Sequence, residues 1–197
     1  MDRLSFVIVE LSLLSFTLAG CNADKGAPAP PPPGRVVAVA AKSAPEETAA
    51  SFCDVLDGTG TVHLPPLAGG AAPNPGGGYL WVNLWATWCK PCIEEMPMLA
   101  KWAETLRSSG KKISLVFVSV DESPETLQRF YASRPGFPAS DRLSDPETLP
   151  AFLTGIGLGE NTGLPIHLFV APNGKAACVR AAAVSENHFD VISRLVE

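Results

Sequence analysis

The sequence predicts an α/β fold: a central mixed β-sheet flanked by helices on both faces. Three observations predict it. An apolar run at residues 79–82 reads as a buried strand, and a helical periodicity follows through Ile93, Met96, Leu99, Ala100, Ala103 and Leu106. A second apolar, β-rich run at 113–120 completes a strand–helix–strand unit, which in one sheet makes a right-handed parallel crossover. Late in the chain, residues 166–171 and 176–180 are short strands joined by Pro172-Asn173-Gly174-Lys175, a turn signal. Crossover first and hairpin last specify a mixed sheet.

The remaining elements follow in order. Residues 51–67 contain Phe52, Cys53, Asp54, Val55 and Leu56, then Val62 to Leu67, where Pro65 and Pro66 exclude a central strand. Residues 68–78 form a Gly/Pro loop before the first core strand. The first helix is expected over 91–108, opening on Pro91, whose φ is preset for the first turn, and ending at Gly110. Pro97 in its interior removes one hydrogen bond and is expected to kink the axis. Ser123-Pro124-Glu125 caps a helix to about residue 133, and Asp145-Pro146-Glu147 repeats the same capping grammar. An amphipathic helix at 187–196 closes the chain.

A length of 197 residues accommodates one domain plus extensions, and 46% hydrophobic content suffices for a core. The net charge is −5 with no basic patch, so nothing points to nucleic acid as a partner. The N-terminus indicates export. Arg3 precedes a mostly apolar stretch at 4–18, too short for a comfortable membrane span and blemished by Glu10. Leu18-Ala19-Gly20-Cys21 then matches a bacterial lipobox, so residues 1–20 are expected to be a lipoprotein signal peptide and Cys21 the lipidated residue. A plain secretory signal or an uncleaved anchor is the alternative. Residues 21–50 are rich in Ala and Pro, a composition that favours extended polyproline geometry over a packed core. They read as a tether, leaving 51–197 as the folded domain.

The chemistry centres on Cys89-Lys90-Pro91-Cys92, where the first strand hands over to the first helix. A thiol at a helix start meets unpaired N–H groups and the positive dipole end, which favour a thiolate. Lys90 adds positive charge. Cys89 is the candidate nucleophile, and Cys92, one turn inside, the resolving thiol that closes the disulfide. Zinc sites share this spacing, but no second pair of ligands is evident, so no metal or other cofactor is expected.

In this context the segment resembles the active site of the thioredoxin superfamily, specifically its TlpA/ResA-like branch of tethered thiol–disulfide oxidoreductases. The resemblance covers about residues 60–197 and is carried by residues 79–97. It implies a thioredoxin-like fold with an N-terminal strand or hairpin extension on the sheet edge. It also implies an enzyme that exchanges disulfides with protein thiol substrates, more often as a reductant, with electrons from a membrane thiol donor and a role such as cytochrome c maturation. Leu164-Pro165 resembles the family's cis-proline position, where the preceding residue pairs with an incoming chain. Leu164 departs from the Thr or β-branched residue usual there. Trp88, with Lys90, Pro91 and Leu164, is expected to contact substrate. Glu95 stands three residues after Cys92, where ResA-like proteins carry a glutamate. Two readings compete for it: a buried proton relay for the cysteines, or a first-turn acid complementing the helix dipole. Thioredoxins proper place a buried aspartate six residues before the first cysteine; here that position is Asn83, which cannot titrate.

His63, His167 and His188 read as surface or sheet polar residues. A peroxiredoxin is an alternative enzyme, although Thr87-Trp88-Cys89 has the wrong spacing for one. A copper-delivery protein would need one more residue between the cysteines. A metal-binding or structural lipoprotein is the non-enzymatic alternative. Cys53 and Cys178 remain over. If the extension packs on the sheet edge the two could form a structural disulfide; otherwise they are separate buried thiols.

Overall fold

The computed structural model describes residues 46–70 and 73–197. The expected signal peptide, Cys21 and the tether up to residue 45 lie outside the described residues. The elements are α1 (Ala49–Phe52), β1 (Val55–Leu56), β2 (Tyr79–Trp85), α2 (Lys90–Ser108), β3 (Ile113–Ser119), α3 (Pro124–Ala132), β4 (Asp141–Arg142), α4 (Leu149–Gly155), β5 (Ile166–Val170), β6 (Ala176–Arg180) and α5 (Phe189–Leu195). Short 3₁₀ turns, Pro146–Thr148 and Glu186–His188, lead into α4 and α5.

The strands form one sheet in the order β1-β6-β5-β2-β3-β4. The pairs β2–β3 and β3–β4 are parallel, while β2–β5, β5–β6 and β1–β6 are antiparallel. β2 is the central strand and is buried on both faces, which is why it reads as a continuous apolar run. Its parity divides the core. Trp81 and Trp85 point to the side covered by α2 and α5, with Met96, Leu99, Val191 and Ile192. Leu80, Val82 and Leu84 point to the other, against Phe152, Leu153 and Ile156 of the α4 region.

The structure can be set beside the sequence expectation at several points. The strand expected over 113–120 stops at Ser119, one residue short, although the Val120 N–H still donates to the Trp85 carbonyl of β2 (2.9 Å). β4, two residues long, carries too short a pattern to be read. α2 spans Lys90 to Ser108 with Pro97 inside it, the extent expected to within one residue. His167, grouped with surface or sheet polar residues, lies in β5 but is wholly buried.

The extension is an added edge. β1 pairs with β6 through Val55–Val179 and Leu56–Cys178, and the Asp54 N–H donates to the Val179 carbonyl (2.8 Å). Asp54 Oδ2 accepts the Ala181 N–H (2.7 Å), and Phe52 fills the core beside Val191. Folded structure begins upstream of residue 51. Thr48 and Ser51 form a capping box on α1, Glu46 pairs with Arg194, and Glu47 lies 3.6 Å from His188. Cys53 and Cys178 are joined by a disulfide with Cα atoms 5.5 Å apart and a sequence separation of 125.

A cross-link over that separation restricts the unfolded chain strongly. Replacing both Cys53 and Cys178 by Ala should lower unfolding free energy by roughly 2–4 kcal/mol. Urea titration of the oxidised protein against the double variant checks this; equal midpoints would contradict it.

Candidate active site

The site is built where β2 ends and α2 begins. After Trp85 the chain turns through Ala86, Thr87 and Trp88, and the Cys89 N–H returns to the Ala86 carbonyl (3.0 Å). Cys89 has extended backbone angles and is the N-cap of α2; Pro91, lacking an N–H, sits in the first turn. The Cys89 Sγ accepts the Cys92 N–H at 3.4 Å. A sulfur in this position satisfies one of the helix's orphan donors, and a thiolate does so better than a thiol. Cys89 and Cys92 are joined as a disulfide with Cα atoms 5.3 Å apart. Cys92 is fully buried, and Cys89 nearly so.

A buried aspartate fixes the turn. Asp121, just beyond β3, accepts the Thr87 N–H (3.0 Å), the Thr87 hydroxyl (2.7 Å) and the Ser119 hydroxyl (2.7 Å). Trp85 anchors the strand end, its indole N–H donating to the Ser140 Oγ (2.8 Å) and its ring set edge-on to Phe130. Trp88 is the opposite case. It stands 72% exposed, immediately before Cys89 in the chain. Lys90 and Glu94 form an exposed pair at 3.6 Å, of little energetic weight.

Glu95 is 4% exposed and does not lie on the helix surface. Its Oε1 accepts the Asn83 amide N–H (3.1 Å), and its Oε2 accepts the Val184 backbone N–H (2.8 Å). His167 Nε2 lies 3.2 Å from Oε1, although not aligned as a hydrogen bond. The solvated first-turn acid is therefore not what the fold builds. Glu94, beyond the first turn, is the exposed acid paired with Lys90, and Glu95 is a core carboxylate met by donors. Leu164–Pro165 is cis and leads into β5, the antiparallel neighbour of β2; Leu164 packs against the core that contains both cysteines.

The structure thus brings Cys89, Cys92 and Glu95 together on α2, with the exposed Trp88 just before them in the chain and Leu164–Pro165 entering the adjacent strand. Cys53 and Cys178 lie at the β1–β6 edge. Cys21 lies outside the described residues. Sequence reasoning missed Asp121 and His167. Asp121 had no motif, and only the β2–β3 register, which pairs Trp85 with Ser119, brings it to Thr87. His167 had a usable signal, since it stands two residues after Pro165 in an otherwise apolar strand. Among the described residues, no group of three or more His, Cys, Asp or Glu side chains is arranged to hold a metal ion.

Comparison with known proteins agrees with this geometry. A thioredoxin-like family profile matches residues 77–147. The thiol-disulfide oxidoreductase ResA of Bacillus subtilis is 29% identical over 109 residues, 55% of each chain. A thioredoxin from Alicyclobacillus acidocaldarius is 39% identical over 49 residues, 25% of this chain and 44% of the other. The chain thus spans about half the length, or less, of these curated relatives. Among solved structures, the thioredoxin domain of a thiol-disulfide oxidoreductase from Bacteroides vulgatus superposes with a TM-score of 0.54 at 17% identity. It covers 73% of this chain and 100% of that one. A DsbE-type thiol:disulfide interchange protein from Chlorobium tepidum gives 0.51 at 20% identity, over 72% and 96%.

Asp121→Ala should leave the Thr87 N–H without its acceptor inside the fold, at about 1–3 kcal/mol of stability. It should also loosen the turn and slow iodoacetamide labelling of reduced Cys89. Denaturant titration and timed labelling followed by mass spectrometry check both; unchanged values would show that Asp121 does not hold the turn.

Proposed function

This chain carries a thioredoxin-like domain with ResA-like relatives, and on that premise we propose that it is a thiol–disulfide oxidoreductase working through Cys89 and Cys92. The observation that carries the reading is the Cys89 sulfur on the Cys92 N–H at the start of α2. A thiolate there is stabilised by the helix end and directly follows the exposed Trp88 in the chain.

The reaction is a two-electron exchange. The Cys89 thiolate attacks one sulfur of a substrate disulfide, forming a mixed disulfide and releasing the other substrate sulfur as a thiolate. Cys92 then loses its proton and attacks Cys89 Sγ. The second substrate thiol departs, and the Cys89–Cys92 disulfide remains. Glu95, one turn along α2 from Cys92, is assigned as the proton acceptor in that second step. Trp88, Lys90, Pro91 and Leu164 are assigned to substrate contact, and Pro165 to presenting the Leu164 backbone to an extended chain.

The substrates are protein disulfides, reduced in preference to being formed, with cytochrome c maturation as the candidate setting and a membrane thiol protein as electron donor. The working location is the outer side of a bacterial membrane, reached by the signal at residues 1–20 and held by lipid on Cys21 and the 21–50 tether. The Cys53–Cys178 disulfide supports an exported chain, because such bridges persist in oxidising spaces.

In the reduced protein near neutral pH, Cys89 should alkylate rapidly while Cys92 stays protected; equal slow labelling would remove Cys89 from the nucleophile role. The protein should accelerate insulin reduction by dithiothreitol, and Cys92→Ser should accumulate a mixed disulfide at Cys89. No acceleration and no adduct would leave a structural bridge as the better account.

A further inference from the structure

A row of polar residues crosses the sheet on the α2 side. Asn83 of β2 is the register partner of His167 of β5, and His167 is the register partner of Arg180 of β6. Directly opposed residues share a face, so the three side chains lie in one line beneath α2. Asn83 and His167 are fully buried, a costly arrangement unless their polar atoms are used.

The hydrogen bonds fix the imidazole's tautomer. Trp81 Nε1 can only donate, and it lies 3.4 Å from His167 Nδ1. The Asn83 Nδ2 is also 3.4 Å from Nδ1. Nδ1 is therefore the acceptor, and a neutral ring carries its proton on Nε2. That nitrogen faces Glu95 Oε1 at 3.2 Å.

The two oxygens of Glu95 are consequently unequal. Oε1 is approached by both the Asn83 amide and the His167 Nε2, whereas Oε2 has one donor, the Val184 N–H. A carboxylate oxygen accepts along two lone pairs, so Oε2 retains one.

We infer that His167, its tautomer locked by Trp81, is a positioning residue that holds the Glu95 carboxylate so that Oε2 takes the Cys92 proton when the mixed disulfide resolves. The inference rests on the proposed exchange activity. In that step the Cys92 proton passes to Oε2, the Cys92 sulfur bonds to Cys89 Sγ, and the bond from Cys89 to the substrate sulfur breaks. The leaving thiolate is protonated from Glu95 or solvent, which restores the carboxylate. His167 keeps its own proton throughout, with Nε2 held beside Oε1 at 3.2 Å.

Other charged groups face this ring. Arg180 is its cross-strand neighbour, but its guanidinium lies over the Phe52 ring (4.5 Å) and donates to the Phe52 carbonyl (2.7 Å). His188 approaches from the turn before α5 and pairs with Glu47 at 3.6 Å. Burial first, and then the charge of Arg180, hold His188 below the usual imidazole range. Glu95 is the group that meets the ring directly.

The test is single-turnover oxidation of the reduced protein by oxidised glutathione between pH 5 and 9. It follows mixed-disulfide formation at Cys89 separately from its resolution by Cys92. His167→Leu should leave the first phase unchanged, slow the second roughly tenfold, well below a full general-base contribution, and move the second phase's pH dependence upward. His167→Gln, which restores an N–H donor, should recover most of the rate. Trp81→Phe should convert the ¹⁵N signature of His167 from a single Nε2–H form to a tautomer mixture. Resolution in His167→Leu at the wild-type rate and pH dependence would overturn the inference. So would equal slowing of both phases with a lowered thermal midpoint, which marks a packing role. A wild-type protein unable to exchange with glutathione would instead overturn the proposed activity, a separate and distinguishable failure.

Discussion

The site depends on one contact, the Cys92 N–H donated to the Cys89 sulfur. For that contact to form, a fully buried strand must end and a helix begin within four residues, with the sulfur in the N-cap position. Ordinary caps use an oxygen from Ser, Thr, Asp or Asn. A cysteine caps well only as a thiolate, so the same geometry that starts the helix favours the reactive form. Pro91 fits because it sits where no intrahelical N–H is needed. Asp121 fits because it takes up the Thr87 N–H and hydroxyl, which the abrupt turn would otherwise leave without partners.

The local parts of this arrangement were legible in the sequence, because each has a local cause. The Cys89–Cys92 spacing, the helical period from Ile93 to Leu106, the Gly110 stop and the 172–175 turn act over a few residues. The non-local parts were less accessible. Glu95 could be read two ways, since an acid in the first turns of a helix is ordinary on the surface. Only the β2–β5 register, which sets Asn83 opposite His167 below the helix, distinguishes them. Asp121 and Thr87 are 34 residues apart, and their contact follows from parallel pairing of β2 with β3. β4 is held by two register pairs and carries no pattern of its own.

A buried carboxylate and a buried imidazole are expensive for a domain of this size to keep. Stability of such domains amounts to only about 5–15 kcal/mol, and unpaired buried charge can consume several of them. The fold limits that cost by pairing. The Asn83 amide, the Val184 N–H and the His167 ring surround Glu95, and Trp81 meets the far nitrogen of the ring. Trp81 also stacks on Phe169 with ring centroids 5.0 Å apart, so the residue that orients the histidine is itself held by the core. Residues that look like packing from the sequence here set the geometry of polar chemistry.

The N-terminal extension belongs to the same problem. Arg180 lies at the end of the polar row, on the strand that would form the sheet edge without β1. Phe52 lies against its guanidinium and accepts its hydrogen bond through the carbonyl, so the extension partly covers the end of the row. A two-residue strand cannot hold that cover by its ladder alone, because so few bonds offset the entropy of ordering the segment. The Cys53–Cys178 disulfide supplies the missing constraint, placing Cys53 next to Phe52 and binding it to a residue buried in β6. The two disulfides among the described residues therefore lie in separate places: Cys89–Cys92 at the helix end, where the proposed exchange would occur, and Cys53–Cys178 at the β1–β6 edge, where it pins the extension beside Arg180.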